Sequence, residues 1–75
     1  MYMIHIVPTW TSREVEDLLK ADGWTVIAIR GSHQQWSHPS KAGRVTLVTG
    51  SRDIPIGTLR SIYRQAGWNW STRKR

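Results

Sequence analysis

Apolar residues return along this chain with two different periods. After Thr11-Ser12-Arg13-Glu14, the residues Val15, Leu18 and Leu19 recur at helical spacing, with Glu16 and Lys20 one turn apart on the polar side. Thr11 and Glu14 make a capping box: the Thr11 hydroxyl accepts from the Glu14 amide and the Glu14 carboxylate reaches back. Gly23 supplies a left-handed stop, so a helix is predicted over about residues 12–22. Trp24–Arg30 is β-branched and aromatic between two glycines and reads as a strand. His33–His38 is a shorter, more polar strand ended by Pro39, Ser40–Gly43 a hairpin loop, and Arg44–Thr49 a third strand. Leu59, Ile62, Tyr63 and Ala66 then fall at i, i+3, i+4 and i+7, which predicts a second helix from about Pro55 to Ala66, closed by Gly67.

The predicted order is α-β-β-β-α. Three consecutive strands with short links pair antiparallel, and two amphipathic helices both need somewhere to bury a stripe. The expected fold is therefore α+β, a three-stranded antiparallel sheet with both helices on one face and the other face open. At 75 residues this is one domain, with a core over 12–67 and a basic tail over 68–75. Met1–Val7 reads either as a further edge strand or as a tail.

Strand parity decides what the open face carries. Side chains alternate, so Gln34, Trp36 and His38 share one side of the second strand, and His33, Gln35 and Ser37 the other. Trp36 is the one large apolar residue of that strand and belongs against the helices. His33 is then directed to solvent. His38 lies five residues further on, about 17 Å at roughly 3.3 Å per residue, and on the opposite face, so it is expected to be structural. Trp24 and Trp36 are expected in the core. Trp68 is expected as a C-terminal anchor, although Trp68 and Trp70 before Arg73-Lys74-Arg75 also suit base stacking.

Charge narrows the partners. Eleven Lys+Arg against five Asp+Glu leave a net charge of +6. Residues 1–29 hold two basic residues against four acidic ones, whereas residues 30–75 hold nine basic residues against Asp53 alone. That asymmetry points to a polyanion, most simply nucleic acid. The chain has no cysteine, which excludes disulfides, thiol catalysis and thiolate zinc sites. No carboxylate–histidine spacing suggests a metal, no Gly-rich phosphate loop is present, and no cofactor is expected. No apolar run reaches membrane length and Met1–Pro8 lacks signal-peptide character, so no membrane association and a cytoplasmic location are expected.

The candidate chemistry sits in Arg30-Gly31-Ser32-His33, a turn that brings a hydroxyl and an imidazole beside a cation. A lone Gly-Ser-His is more often an ordinary polar turn. Here Arg30, Lys41 and Arg44 lie on neighbouring hairpin segments, placed to hold a phosphate near the ring. An imidazole exchanges protons near cellular pH and suits attack of a ribose 2′-hydroxyl on the adjacent phosphate, with cations stabilising the added charge. The candidate catalytic residue is His33. The candidate RNA-binding residues are Arg30, Gly31, Ser32, Gln35, Lys41 and Arg44, with Arg60 and Arg64 one turn apart on the second helix.

Gly31-Ser32-His33-Gln34-Gln35-Trp36-Ser37-His38-Pro39, then Arg44-Val45-Thr46-Leu47-Val48, then Pro55-Ile56-Gly57-Thr58-Leu59 through Ile62 to Ala66-Gly67, resembles the HicA family of bacterial toxins across residues 12–67. The resemblance implies a double-stranded-RNA-binding-like fold and mRNA interferase activity, with the histidine of Gly-Ser-His, here His33, as the catalytic residue. It also implies a cognate HicB-type antitoxin that covers the site. Family members often carry another histidine shortly after the third strand, where this chain has Thr49 and Gly50. Two rival readings use the same charge: a non-catalytic RNA- or DNA-binding module, and a basic interaction domain that docks an acidic protein.

Overall fold

A computed structural model describes residues 10–72. Helix α1 (Ser12–Ala21) leads into strands β1 (Thr25–Arg30), β2 (His33–Ser37) and β3 (Val45–Val48), then helix α2 (Ile56–Ala66) and a 3-10 turn at Trp70–Thr72. The strands form one antiparallel sheet in the order β1-β2-β3. The expected α-β-β-β-α architecture is what the chain adopts. The reading of Met1–Val7 as strand or tail, and the charges at Arg73–Arg75, fall outside the described residues.

Local chemistry sets the helix ends. Thr11 is extended, the Glu14 amide donates to Thr11 Oγ1 at 3.2 Å, and the Thr11 amide donates to Glu14 Oε1 at 2.9 Å. At the other end Gly23 turns left-handed at φ 97°, its amide donates to Lys20 O, and the Trp24 amide donates to Leu19 O. That is a Schellman closure. Helix α2 ends the same way, with Gly67 at φ 74°, the Gly67 amide on Arg64 O and the Trp68 amide on Tyr63 O. Each closure is sealed by a tryptophan, Trp24 in the core beside Leu19, and Trp68 edge-to-face on Tyr63 at 5.2 Å. Pro55 stands at the N-cap of α2, so the helix begins one residue later than the stripe suggested.

Both helices lie on the sheet face that carries Trp36, Val45 and Leu47, and the core joins these to Val15, Leu19, Trp24, Ile54, Leu59, Ile62, Tyr63 and Ala66. Ser12 is the buried polar member of α1. Its hydroxyl donates to Val48 O at 2.7 Å and accepts from the Ser51 amide, tying the start of α1 to the end of β3. Gln65 Oε1 of α2 accepts the Thr46 amide and so occupies part of the β3 edge. No helix covers β1. All six of its residues are exposed, and Ile29, although directed to the helical side, is 63% exposed.

The register of β2 is set by one side chain. A slip of one residue would turn Trp36, now 1% exposed, to water and His33 inward. Removing a buried tryptophan typically costs about 3–5 kcal/mol, a large share of a domain stability of about 5–15 kcal/mol. Burial of Trp36 therefore fixes the side on which His33 stands.

Candidate functional site

The β1–β2 connection is a two-residue turn, with Arg30 and His33 paired directly across it. Gly31 takes φ 58°, and no described non-glycine residue has positive φ. A positive φ at only the first central residue is the pattern of a type II′ turn, whose twist matches the strands and which favours glycine there. The far side is pinned by Thr49, whose amide and hydroxyl both donate to Ser32 O, at 2.8 and 3.2 Å. The Thr49 hydroxyl is thereby engaged with the turn. His33 pairs with Val48 on its other side, so its backbone is held from both neighbours while its ring is exposed.

Cross-strand pairs share a face, so the register maps the open side. Arg30, His33 and Val48 form one row, Ala28, Gln35 and Thr46 the next, and Thr25 with Ser37 the one after. A bulge in β1 makes this arrangement fit. Val26 pairs with Trp36 and Ala28 with Gln35, which leaves Ile27 as the extra residue. In a regular strand Val26 and Arg30 would share a face. The bulge lets Val26 point toward the helical side while Arg30 stands beside His33.

Ala28, Arg30, His33, Gln35 and Arg44 line a concavity of about 350 Å³. Four of the expected site residues are thus brought together, two of them cations that line the same hollow as the imidazole. Gln35 is held by its amide nitrogen, which donates to Thr46 Oγ1 at 2.9 Å. Gly31 and Ser32 shape the turn beside it. A second, larger cleft of about 590 Å³ lies between α1 and the β3–α2 loop and is not lined by His33; its Arg13, Lys20 and Arg52 are offset by Glu16 and Asp17. The smaller concavity has the better chemistry, because it joins a proton-transfer group to uncompensated positive charge.

Lys41 is not among these groups. Its ammonium lies 2.7 Å from Asp22 Oδ2 and 3.0 Å from Ala66 O, the last carbonyl of α2. A carboxylate and the negative end of a helix dipole draw it to the helical side, so the expected place beside the imidazole is not the one it takes. Arg60 and Arg64 also belong to the helical layer. The Arg60 guanidinium stacks on the Trp70 ring at 5.7 Å, and Arg64 reaches Ser61 Oγ at 3.5 Å.

His38 is structural, as its parity requires. The Ser40 amide donates to its Nδ1 at 3.1 Å, which leaves Nε2 as the protonated nitrogen that donates to Asp22 O at 2.6 Å. The ring packs edge-on against Trp24 at 5.3 Å. Asp22 itself was not legible as a centre. Its Oδ2 accepts from Lys41, Trp68 Nε1 and Trp24 Nε1, and these bonds hold its pKa down at about 2, the Lys41 bond contributing most. Trp68 is the expected anchor. Trp70 packs against Tyr63 at 5.1 Å.

Among the described residues no group of three His, Cys, Asp or Glu side chains could hold a metal ion, and no helix is long and apolar enough to cross a membrane. What remains is a small α+β domain whose open sheet face carries the His33 imidazole in a concavity that Arg30 and Arg44 also line. Residues 12–68 match the family described as the HicA toxin of bacterial toxin–antitoxin systems. The chain belongs to that family, and membership implies a cognate antitoxin partner. A comparison with curated proteins found no match.

Proposed function

We propose that this toxin is an endoribonuclease that cleaves mRNA without a metal, with His33 as its catalytic residue. The observation that carries the reading is the exposed His33 ring set directly across the turn from Arg30 in the concavity that Arg44 also lines. RNA phosphate sits between the two guanidinium groups. Neutral His33 takes the proton of the ribose 2′-hydroxyl as the 2′-oxygen bonds to the adjacent phosphorus. The bond from phosphorus to the 5′-oxygen breaks, and that oxygen takes a proton from water or from the imidazolium just formed. The products are a 2′,3′-cyclic phosphate and a free 5′-hydroxyl. Arg30 and Arg44 stabilise the extra negative charge of the transition state.

The open face is also the surface for regulation. A HicB-type antitoxin seated there removes His33 from substrate without altering the fold. The reading is tested by the chemistry of the ends. Purified protein in excess chelator should yield 2′,3′-cyclic phosphate termini from RNA, and a 2′-deoxy residue at the scissile position should block cutting. Binding without scission would instead support a non-catalytic nucleic-acid module, recognised by an affinity that falls steeply with salt.

A further inference from the structure

Ala28 breaks the local pattern of its strand. Val26, Ile27 and Ile29 around it are β-branched, as strand residues tend to be, whereas alanine is depleted in strands. Ala28 is exposed on the open face, so no packing against the helices calls for a small side chain. A local rule broken with no gain in stability marks a position to examine for function. Here the missing bulk coincides with the lining of the concavity.

The surrounding row makes the consequence concrete. Ala28 pairs with Gln35, and Gln35 with Thr46, so the middle row of the open face is small or uncharged. Arg30 stands one row toward the turn, and Arg44 precedes β3 at the opposite end. Their backbones are separated by about 13 Å along the strands at roughly 3.3 Å per residue, yet both side chains reach the same hollow. The volume of about 350 Å³ falls within the range of small-ligand sites, about 300–1,000 Å³.

We propose that Ala28 is the floor of a seat for one unpaired ribonucleotide. The phosphate lies between Arg30 and Arg44, and the sugar and base lie over Ala28 against Gln35. A larger residue at 28 fills the seat and leaves every positive charge in place. The proposal rests on the reading above only in taking RNA as the ligand.

The test follows the His33 ring resonances of the labelled full chain during titration with cytidine 3′-monophosphate and, separately, with inorganic phosphate. The wild type should bind the nucleotide more tightly than phosphate. Ala28→Leu should weaken the nucleotide by at least about 10-fold, equivalent to about 1.4 kcal/mol, while phosphate binding stays unchanged. Ile29→Phe adds bulk to the other face of the same strand and should change neither. Equal nucleotide affinity in the wild type and Ala28→Leu overturns the seat, as does a wild type that binds nucleotide no better than phosphate. RNA left intact by a wild type that does bind the nucleotide contradicts the enzymatic reading and leaves the seat standing.

Discussion

The indoles of Trp24 and Trp68 donate to one and the same oxygen, Asp22 Oδ2, each at 2.9 Å. These two tryptophans follow the closing glycines of the two helices, so a single carboxylate joins both helix ends. Lys41 adds its ammonium to that oxygen and to the last carbonyl of α2. Asp22→Asn removes the charge that three donors share. Hydrogen bonds to charged groups are worth about 1.5–3 kcal/mol. Partial exposure reduces this, so a loss of about 1–2 kcal/mol is expected at neutral pH. Thermal unfolding should show a midpoint about 4–8 °C lower per kcal/mol for a domain of this size.

The same carboxylate gives a pH dependence with a definite sign. Its pKa in the fold is about 2, below the ordinary 3.8, so its contribution is complete above the ordinary value. It is lost as pH falls through the folded value, because the unfolded chain binds the proton first. Denaturant unfolding measured from pH 5 down to pH 2 should show the wild type losing more stability over that interval than Asp22→Asn. Parallel curves would contradict the assignment.

Gly23 meets two constraints at once. Its φ is 97°, and a β-carbon there would lie 3.0 Å from His38 Nε2. Gly43 has φ 83° with open space around it, so it carries the backbone constraint alone. Left-handed backbone costs a non-glycine residue about 1–2 kcal/mol. Gly43→Ala should lose about that much, and Gly23→Ala more. In a double-mutant cycle, His38→Ala should relieve part of the Gly23→Ala loss. Additive effects would show that the ring gives way freely.

The β1 bulge predicts that two deletions of equal length differ. Removing Ile27 keeps every cross-strand pair and returns the strand to regular alternation, with Ala28 and Arg30 still on the open face. Removing Ala28 keeps the same pairs but sets Ile27 in its place, filling the hollow beside His33. RNA cleavage should survive the first deletion and drop at least about 10-fold in the second, by the cost of overpacking. Circular dichroism should show that both variants fold.

Helices, turns and strand order were legible because each rests on local chemistry: the Thr11–Glu14 box, the Gly23 and Gly67 closures, and the Leu59-to-Ala66 stripe. The outward course of His33 was legible too, because Trp36 leaves β2 only one favourable side. The Ile27 bulge was not. It becomes visible only when β1 must satisfy Trp36 and His33 together, a tertiary condition that no period within Trp24–Arg30 records. Lys41 was misplaced for a related reason. Its charge could be counted, but the competing pull of Asp22, nineteen residues away, arises only from the fold. Ala28 gave one faint signal, a small residue in a β-branched run.

The proposed activity depends on one imidazole, His33, on the open sheet face. The most direct measurement compares the wild type with His33→Ala on mRNA in excess EDTA, both verified as folded. His33 is exposed, so its removal should leave stability unchanged. The wild type should cut and His33→Ala should lose at least about 100-fold in rate, the low end of what a general acid–base group contributes. Equal cutting by the two proteins, or intact RNA with the wild type at every ratio, would contradict it.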